Sequence, residues 1–93
     1  MAELRELRCF AVLADVLHFG RAAERMQISQ STLSRRIRSL EDELGLALLV
    51  RTSRSVALTD AGRELATRLP SALRSVDQAL EAARTKGAGG WEV

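Results

Sequence analysis

The segment from Ser29 to Gly45 restricts the possible folds more than any other part of the chain. Ser29 is a natural N-cap and Gly45 a natural residue for ending a helix, so the two predict a helix over residues 30–44. The apolar residues between them are spaced by four, three and four positions: Leu33, Ile37, Leu40 and Leu44. That spacing places them in one stripe, which predicts a helix that packs with one face and exposes the other.

The polar face of this helix carries side chains that suit recognition of DNA bases. At about 100° per residue, the face opposite the stripe holds Ser31, Arg35, Arg38 and Asp42. Thr32 and Ser34 flank that face, and Gln30 lies at the exposed first turn. Arg35 can bind guanine O6 and N7 as a fork, whereas Arg36 lies toward the flank and suits a phosphate contact or a surface ion pair. A solvated helix face is the alternative interpretation.

The elements around this segment are short, except for the last one. Apolar residues at helical spacing predict a first helix over residues 4–17, which Phe19-Gly20 ends. A short helix over residues 21–26 and a turn over residues 27–29 lead into the amphipathic helix. Two strand-like runs, joined by Thr52–Ser55, then predict a small β-hairpin with a basic tip: residues 48–51 and 56–59.

Thr59 is expected to cap a long last helix over residues 60–84. Pro70 lies inside it, and either kinks it or divides it in two; the kink is favoured because the apolar stripe keeps its phase across Pro70. A length of about 36 Å indicates an interface with another chain rather than core packing alone. The residues expected in that interface are Leu65, Leu69, Leu73, Val76 and Leu80. Residues 87–90 are expected to form a flexible linker.

Composition excludes several classes of protein and site. The 93 residues include one Cys and one His, which rules out an internal disulfide and a closed zinc site. We therefore expect no metal, no cofactor and no catalytic residues. No run approaches the roughly 18 apolar residues of a membrane helix, and no secretory signal begins the chain, so a cytoplasmic location is expected. Cys9 is interpreted as a partly buried bystander, and His18 as a helix-end residue or phosphate contact.

Positive charge is concentrated in the middle of the chain. Residues 20–59 carry seven Arg and four acids, although the whole chain has a net charge of only +2. This distribution favours a polyanionic partner, with ordinary surface arginines as the alternative. Arg51 and Arg54 at the hairpin tip suit DNA phosphate or the minor groove. Helix N-termini add candidate backbone phosphate sites at Gly20, Arg21 and Ser29.

The order of these elements predicts a mainly α fold: a winged helix-turn-helix with a two-stranded β wing and a long C-terminal helix. Several blocks resemble the LysR-type transcriptional regulator family, and together they cover about residues 3–84. They are LRCF at residues 7–10, HFGRAAERM at 18–26, SQSTLSRRIRSLE at 29–41, LLVRT at 48–52 and LTDAG at 58–62.

The resemblance implies a bacterial domain that binds double-stranded DNA over residues 1–59 and a linker and dimerisation helix over residues 60–86. Residues 87–93 are then the hinge and the start of an effector-binding domain that is missing here, with Trp91–Val93 resembling its first strand. The resemblance further implies a homodimer through antiparallel linker helices, a tetramer for the full-length protein, and a small-molecule effector bound only by the missing domain.

Carried over residue by residue, the family pattern implies that the residues facing bases or nearby phosphates are Gln30, Ser31, Thr32, Ser34 and Arg35. It likewise implies that the functional residues of the wing are Arg51, Thr52 and Arg54. Two departures matter for these contacts. Ser31-Thr32 replaces a common Pro-Ala pair, so base preference is expected to differ. Leu49 and Ser53 replace a common Phe and Gly in the wing. A helical dimerisation or adaptor module that binds a protein partner is the competing functional hypothesis.

Overall fold

The computed structural model describes the backbone of residues 1–90 and the side chains of residues 1–87. Three helices are followed by a two-stranded antiparallel sheet and one long helix. The predicted fold class is therefore confirmed. The elements are α1 (Leu4–Val16), α2 (Phe19–Met26), α3 (Gln30–Leu44), β1 (Leu49–Arg51), β2 (Val56–Leu58) and α4 (Asp60–Gly90).

The core lies where α1 packs against the other three helices. Its largest fully buried side chains come from α1, α3 and the residue before β1: Phe10, Leu13, Leu33, Ile37, Leu40, Leu48 and Cys9. Each large apolar side chain removed from water contributes about 1.5–3 kcal/mol to folding. Cys9 is thus a core residue, more deeply buried than the sequence suggested.

The break between α1 and α2 lies at Leu17-His18, two residues earlier than predicted. α1 ends at Val16, and its C-cap Leu17 adopts the left-handed conformation with φ of 51°. α2 begins at Phe19, because His18 Nδ1 accepts a hydrogen bond from the Arg21 amide at 3.0 Å and caps the helix. The prediction that Phe19-Gly20 is the break was wrong, since histidine is not among the preferred N-cap residues and gave no capping signal.

The turn and the third helix match the prediction. Gln27 adopts the left-handed conformation with φ of 59°, and the Ile28 amide bonds back to the Ala23 carbonyl at 3.0 Å. Ser29 then caps α3 by accepting from the Thr32 amide at 3.1 Å. Gly45 ends α3 with φ of 71°, a conformation that glycine adopts without strain.

The last helix is longer than the sequence indicated. α4 is one helix of 31 residues with Pro70 inside it, so the alternative of two separate helices is wrong. It continues through the glycines at 87–90, where a flexible linker was expected. Glycine weakens a helix by about 1 kcal/mol relative to alanine without excluding one. Trp91–Val93 lie outside the described residues, and no helix within the described part is long and apolar enough to cross a membrane.

Three contacts fix α4 against the rest of the domain. Thr59 Oγ1 accepts from the Gly62 amide at 3.0 Å and donates to the Ala47 carbonyl at 2.7 Å, which confirms the predicted cap and ties it to the wing. The Arg8 guanidinium on α1 pairs with Asp77 on α4 at 2.7 Å. α4 therefore packs on the domain from its start as far as Asp77.

Candidate nucleic-acid interface

The two faces of α3 separate as the apolar stripe predicts except at Leu44, which was expected in the stripe but is 47% exposed at the end of the helix. Leu33, Ile37 and Leu40 are buried in the core. Residues of the opposite face are exposed, and they are Gln30, Ser31, Arg35, Arg38 and Asp42. Because the buried side chains of α3 pack in the core, they fix the position of the exposed face.

Arg35 and Arg38 project from this face into solvent. Among the residues that the structure describes, neither guanidinium forms an ion pair or a side-chain hydrogen bond. Arg38 and Asp42, which are one helical turn apart, are therefore not paired within the described residues. Binding an anion or a base edge would not require either side chain to break an existing bond.

Arg36 lies on a different side of α3 from Arg35. Its side chain is partly buried against α1, and Nη1 donates to Cys9 Sγ at 3.7 Å. About 100° separates neighbouring residues on a helix, which turns Arg36 toward α1 when Arg35 faces solvent. The surface ion pair suggested for Arg36 is not formed within the described residues, and its placement does not favour the suggested phosphate contact.

The first turn of α3 carries a cluster of hydroxyls. Ser29 Oγ accepts from the Thr32 amide, donates to Thr32 Oγ1 at 2.8 Å and lies 3.2 Å from Ser31 Oγ. Ser31 is exposed, whereas Thr32 and Ser34 are partly buried. Of the predicted hydroxyl contacts, Ser31 is thus the most accessible, and Ser29 serves mainly to cap the helix.

The wing is a short hairpin whose tip is closed by a threonine. β1 and β2 pair with Val50 opposite Ala57 and Arg51 opposite Val56. Thr52 Oγ1 accepts from the Ser55 amide at 3.0 Å and from the Arg54 amide at 3.3 Å. These bonds stabilise the turn without the glycine that hairpin tips often contain, and Arg54 remains exposed. Thr52 is therefore first a turn residue.

Arg51 is held against the start of α2. Its guanidinium carbon lies 4.2 Å from the centroid of the Phe19 ring, a cation–π contact. Phe19 is itself 9% exposed, so the ring is anchored in the core while one face is open to Arg51. Sequence reasoning missed this contact because it placed Phe19 in a break between helices.

The start of α2, the start of α3 and the wing tip meet in one shallow depression. Its lining includes His18, Gly20, Gln30 and the turn from Thr52 to Ser55. Gly20 sits so close to its neighbours that an added Cβ would lie 3.1 Å from the His18 ring and 3.6 Å from Gln30 Oε1. The predicted backbone site at Gly20 and Arg21 therefore adjoins the recognition helix and the wing. The Arg21 amide itself already donates a hydrogen bond to His18 Nδ1.

Sequence analysis did not identify two residues that position the wing. Glu41 Oε2 accepts from the Leu48 and Leu49 amides at 2.8 and 3.2 Å, which fixes the start of the wing to α3. Gly62 allows α4 to approach the wing, since a Cβ there would lie 2.1 Å from the Leu48 carbonyl oxygen. The sequence showed Glu41 only as one of three successive acids.

The expected dimer residues on α4 fall into two groups. Leu69 is 5% exposed and belongs to the core, and Leu65 and Leu73 pack against that core. Val76 and Leu80 are 37% and 46% exposed. The first three are thus covered largely by their own chain, because α4 packs on α1, and only the distal pair remains open.

Comparison with known proteins identifies the family. The model of the bacterial regulatory helix-turn-helix proteins of the lysR family matches residues 4–63. The chain belongs to this family. It is 51% identical over 77 residues to an uncharacterized HTH-type transcriptional regulator, YnfL, of Escherichia coli, which covers 83% of the chain and 26% of that protein.

Solved structures of the family share the fold. Full-length OxyR from Pseudomonas aeruginosa matches with a TM-score of 0.86 and 39% identity, covering 91% of this chain and 29% of OxyR. The BenM DNA-binding domain in complex with catB site 1 DNA matches with a TM-score of 0.85 and 38% identity, covering 91% of this chain and 96% of that one. The chain thus spans roughly a quarter of its full-length relatives and nearly all of an isolated DNA-binding domain.

Proposed function

We propose that this LysR-type chain binds an interrupted inverted repeat in double-stranded DNA as a homodimer and so directs a transcriptional regulator to its promoter. The observation that carries the proposal is the exposed face of α3, on which Arg35 and Arg38 are exposed and, among the described residues, unpaired, while the opposite face is buried. A major groove about 12 Å wide admits one such helix. The complex of the related BenM domain with DNA supports this proposal.

The role proposed for each residue follows from where its side chain lies. Gln30, Ser31 and Arg35 at the first turns of α3 are proposed to read base edges. Arg51 and Arg54 on the wing are proposed to contact phosphate or the minor groove and to supply most of the salt-dependent affinity. The acids Asp42 and Glu43 repel phosphate, so the end of α3 is proposed to leave the groove.

The homodimer is proposed to form through the distal half of α4. Val76 and Leu80 are the exposed members of its apolar stripe. Two recognition helices would then enter successive major grooves about 34–36 Å apart, if the half-sites are one helical turn apart.

The longer protein implied by the relatives is proposed to be a cytoplasmic, non-enzymatic regulator. Its small-molecule effector would bind a domain beyond the present chain, and its full assembly would be a tetramer. We propose no metal or cofactor for the DNA-binding part. Residues 1–59 are proposed to contact DNA, with residues from 60 onward as the linker and dimerisation helix.

Selection of bound duplexes from genomic fragments at two salt concentrations tests the proposal. The wild-type chain is expected to enrich an inverted repeat that survives the higher salt concentration. Arg35→Ala is expected to lose about 1–3 kcal/mol of binding free energy and to relax one base position per half-site. Arg38→Ala is the matched control, with a smaller loss. Uniform binding that vanishes with salt would overturn the proposal and favour a protein-binding module.

A further inference from the structure

The hydroxyls at the start of α3 form an ordered hydrogen-bond chain. Ser29 Oγ lies within bonding distance of three partners: the Thr32 amide at 3.1 Å, Thr32 Oγ1 at 2.8 Å and Ser31 Oγ at 3.2 Å. A serine hydroxyl has one proton to donate and two lone pairs with which to accept. The three contacts therefore use the full capacity of Ser29.

The direction of each bond can be assigned by counting protons. Ser29 donates its single proton to Thr32 Oγ1, and it accepts the Thr32 amide proton on one lone pair. Only the second lone pair remains for the contact with Ser31. The geometry of the contact allows either hydroxyl to donate, and this count assigns Ser31 as the donor, with its proton directed back toward Ser29.

Ser31 then presents a defined chemical face to its surroundings. It is exposed and lies on the side of α3 opposite the buried stripe, beside Arg35 along the helix. With its proton directed at Ser29, the hydroxyl offers only lone pairs outward. Thr32, the next residue along the chain, is partly buried and accepts the hydrogen bond from Ser29.

We infer that Ser31 acts as a hydrogen-bond acceptor toward the major groove and selects a base that presents an amino group there. The bases that do so are adenine, through N6, and cytosine, through N4. Guanine and thymine present oxygen or nitrogen acceptors along the same edge, and these would face the lone pairs of Ser31. Ser29 is the positioning residue that fixes this polarity. The inference rests on the proposed function and names a specificity determinant within it.

Selection of bound duplexes with the 93-residue chain and three variants tests the inference. The wild type is expected to prefer adenine or cytosine at one position of each half-site. Ser31→Ala is expected to reduce that preference about three- to tenfold, the worth of one hydrogen bond, with the other positions unchanged. Ser29→Gly keeps a tolerated N-cap but removes the acceptor for the Ser31 proton. It is expected to relax the same position although Ser31 is intact, whereas Ser29→Thr, which retains the hydroxyl, preserves the preference.

An adenine analogue gives a second readout that does not depend on selection. Where adenine is the selected base, purine lacking the 6-amino group is expected to weaken wild-type binding about three- to tenfold and to leave Ser31→Ala binding unchanged. A preference for guanine or thymine that Ser31→Ala removes would overturn the inference, as would a Ser29→Gly variant with wild-type preference. An enriched repeat without any position sensitive to Ser31 also overturns it while leaving the proposed function intact. Absence of any enriched repeat in the wild type refutes both.

Discussion

The Arg51 guanidinium lies over the ring of Phe19, 4.2 Å from its centroid, and so joins the wing to the first residue of α2. Arg51 is the last residue of β1, in a hairpin with only three residues in each strand. A hairpin of that size has little stability of its own. Its orientation beside α3 therefore depends on side-chain contacts with the helices, and this is one of them.

Replacing Phe19 by leucine is expected to lower DNA affinity through loss of the contact with Arg51, in a domain that remains folded. Leucine still fills an apolar site, but it offers no aromatic face to Arg51, and a cation–π contact at such a site is worth about 0.5–2 kcal/mol. We expect DNA affinity to fall about two- to tenfold, measured by fluorescence anisotropy on the selected duplex. Phe10→Leu, at a fully buried site away from the wing, is the control. Equal losses of affinity in both variants, each fully folded at the assay temperature, would contradict the prediction.

Replacing Gly62 by alanine is expected to destabilise the domain. The added Cβ would lie 2.1 Å from the Leu48 carbonyl oxygen, so α4 or the wing would have to move. Overpacking of this kind typically costs about 1–3 kcal/mol, measured here by urea unfolding. Gly87→Ala is the matched control, because its Cβ meets nothing within 4 Å and alanine favours helix by about 1 kcal/mol. An unchanged free energy of unfolding in Gly62→Ala would refute the close approach.

The sequence predicted best what depends on local pattern. The bounds of α3 follow from the spacing of its apolar residues together with Ser29 and Gly45, all of which act within one helix. The start of α2 was missed because histidine, an uncommon cap, supplies the acceptor. The end of α4 was missed because glycine composition suggested a flexible linker, whereas α4 extends through those residues.

The candidate site was predictable in its residue types and less so in its contacts. Arg35 and Arg36 look alike in the sequence, and only tertiary packing on α1 separates an exposed arginine from one beside Cys9. Likewise, the stripe on α4 predicted apolar contacts without telling which residues pack on α1. Leu69 is buried in the chain's own core, whereas Val76 is exposed. Long-range packing of this kind leaves no signal in local periodicity.

Replacing Glu41 by alanine is expected to loosen the wing and to destabilise the domain. Its carboxylate accepts from the Leu48 and Leu49 amides, and Leu48 is fully buried. Leaving a buried amide without a partner costs about 1–3 kcal/mol, which thermal unfolding would register as a lower Tm. Glu43→Ala is the control, since Glu43 is exposed and its 3.0 Å ion pair with the Met1 amino group lies at the surface. A Tm equally lowered by both changes would argue against a specific role of Glu41.

Aspartate substitutions along α4 are expected to separate folding from dimerisation. Leu69→Asp places a charge in the core and is expected to cost more than about 3 kcal/mol of stability. Val76→Asp and Leu80→Asp alter side chains that the chain itself leaves exposed, so the domain is expected to stay folded while the dimer dissociates. Sedimentation equilibrium measures the dimer and circular dichroism the fold. Gln78→Asp, which adds the same charge on the opposite face of α4, is expected to change neither. A dimer that survives both distal substitutions would place the interface elsewhere.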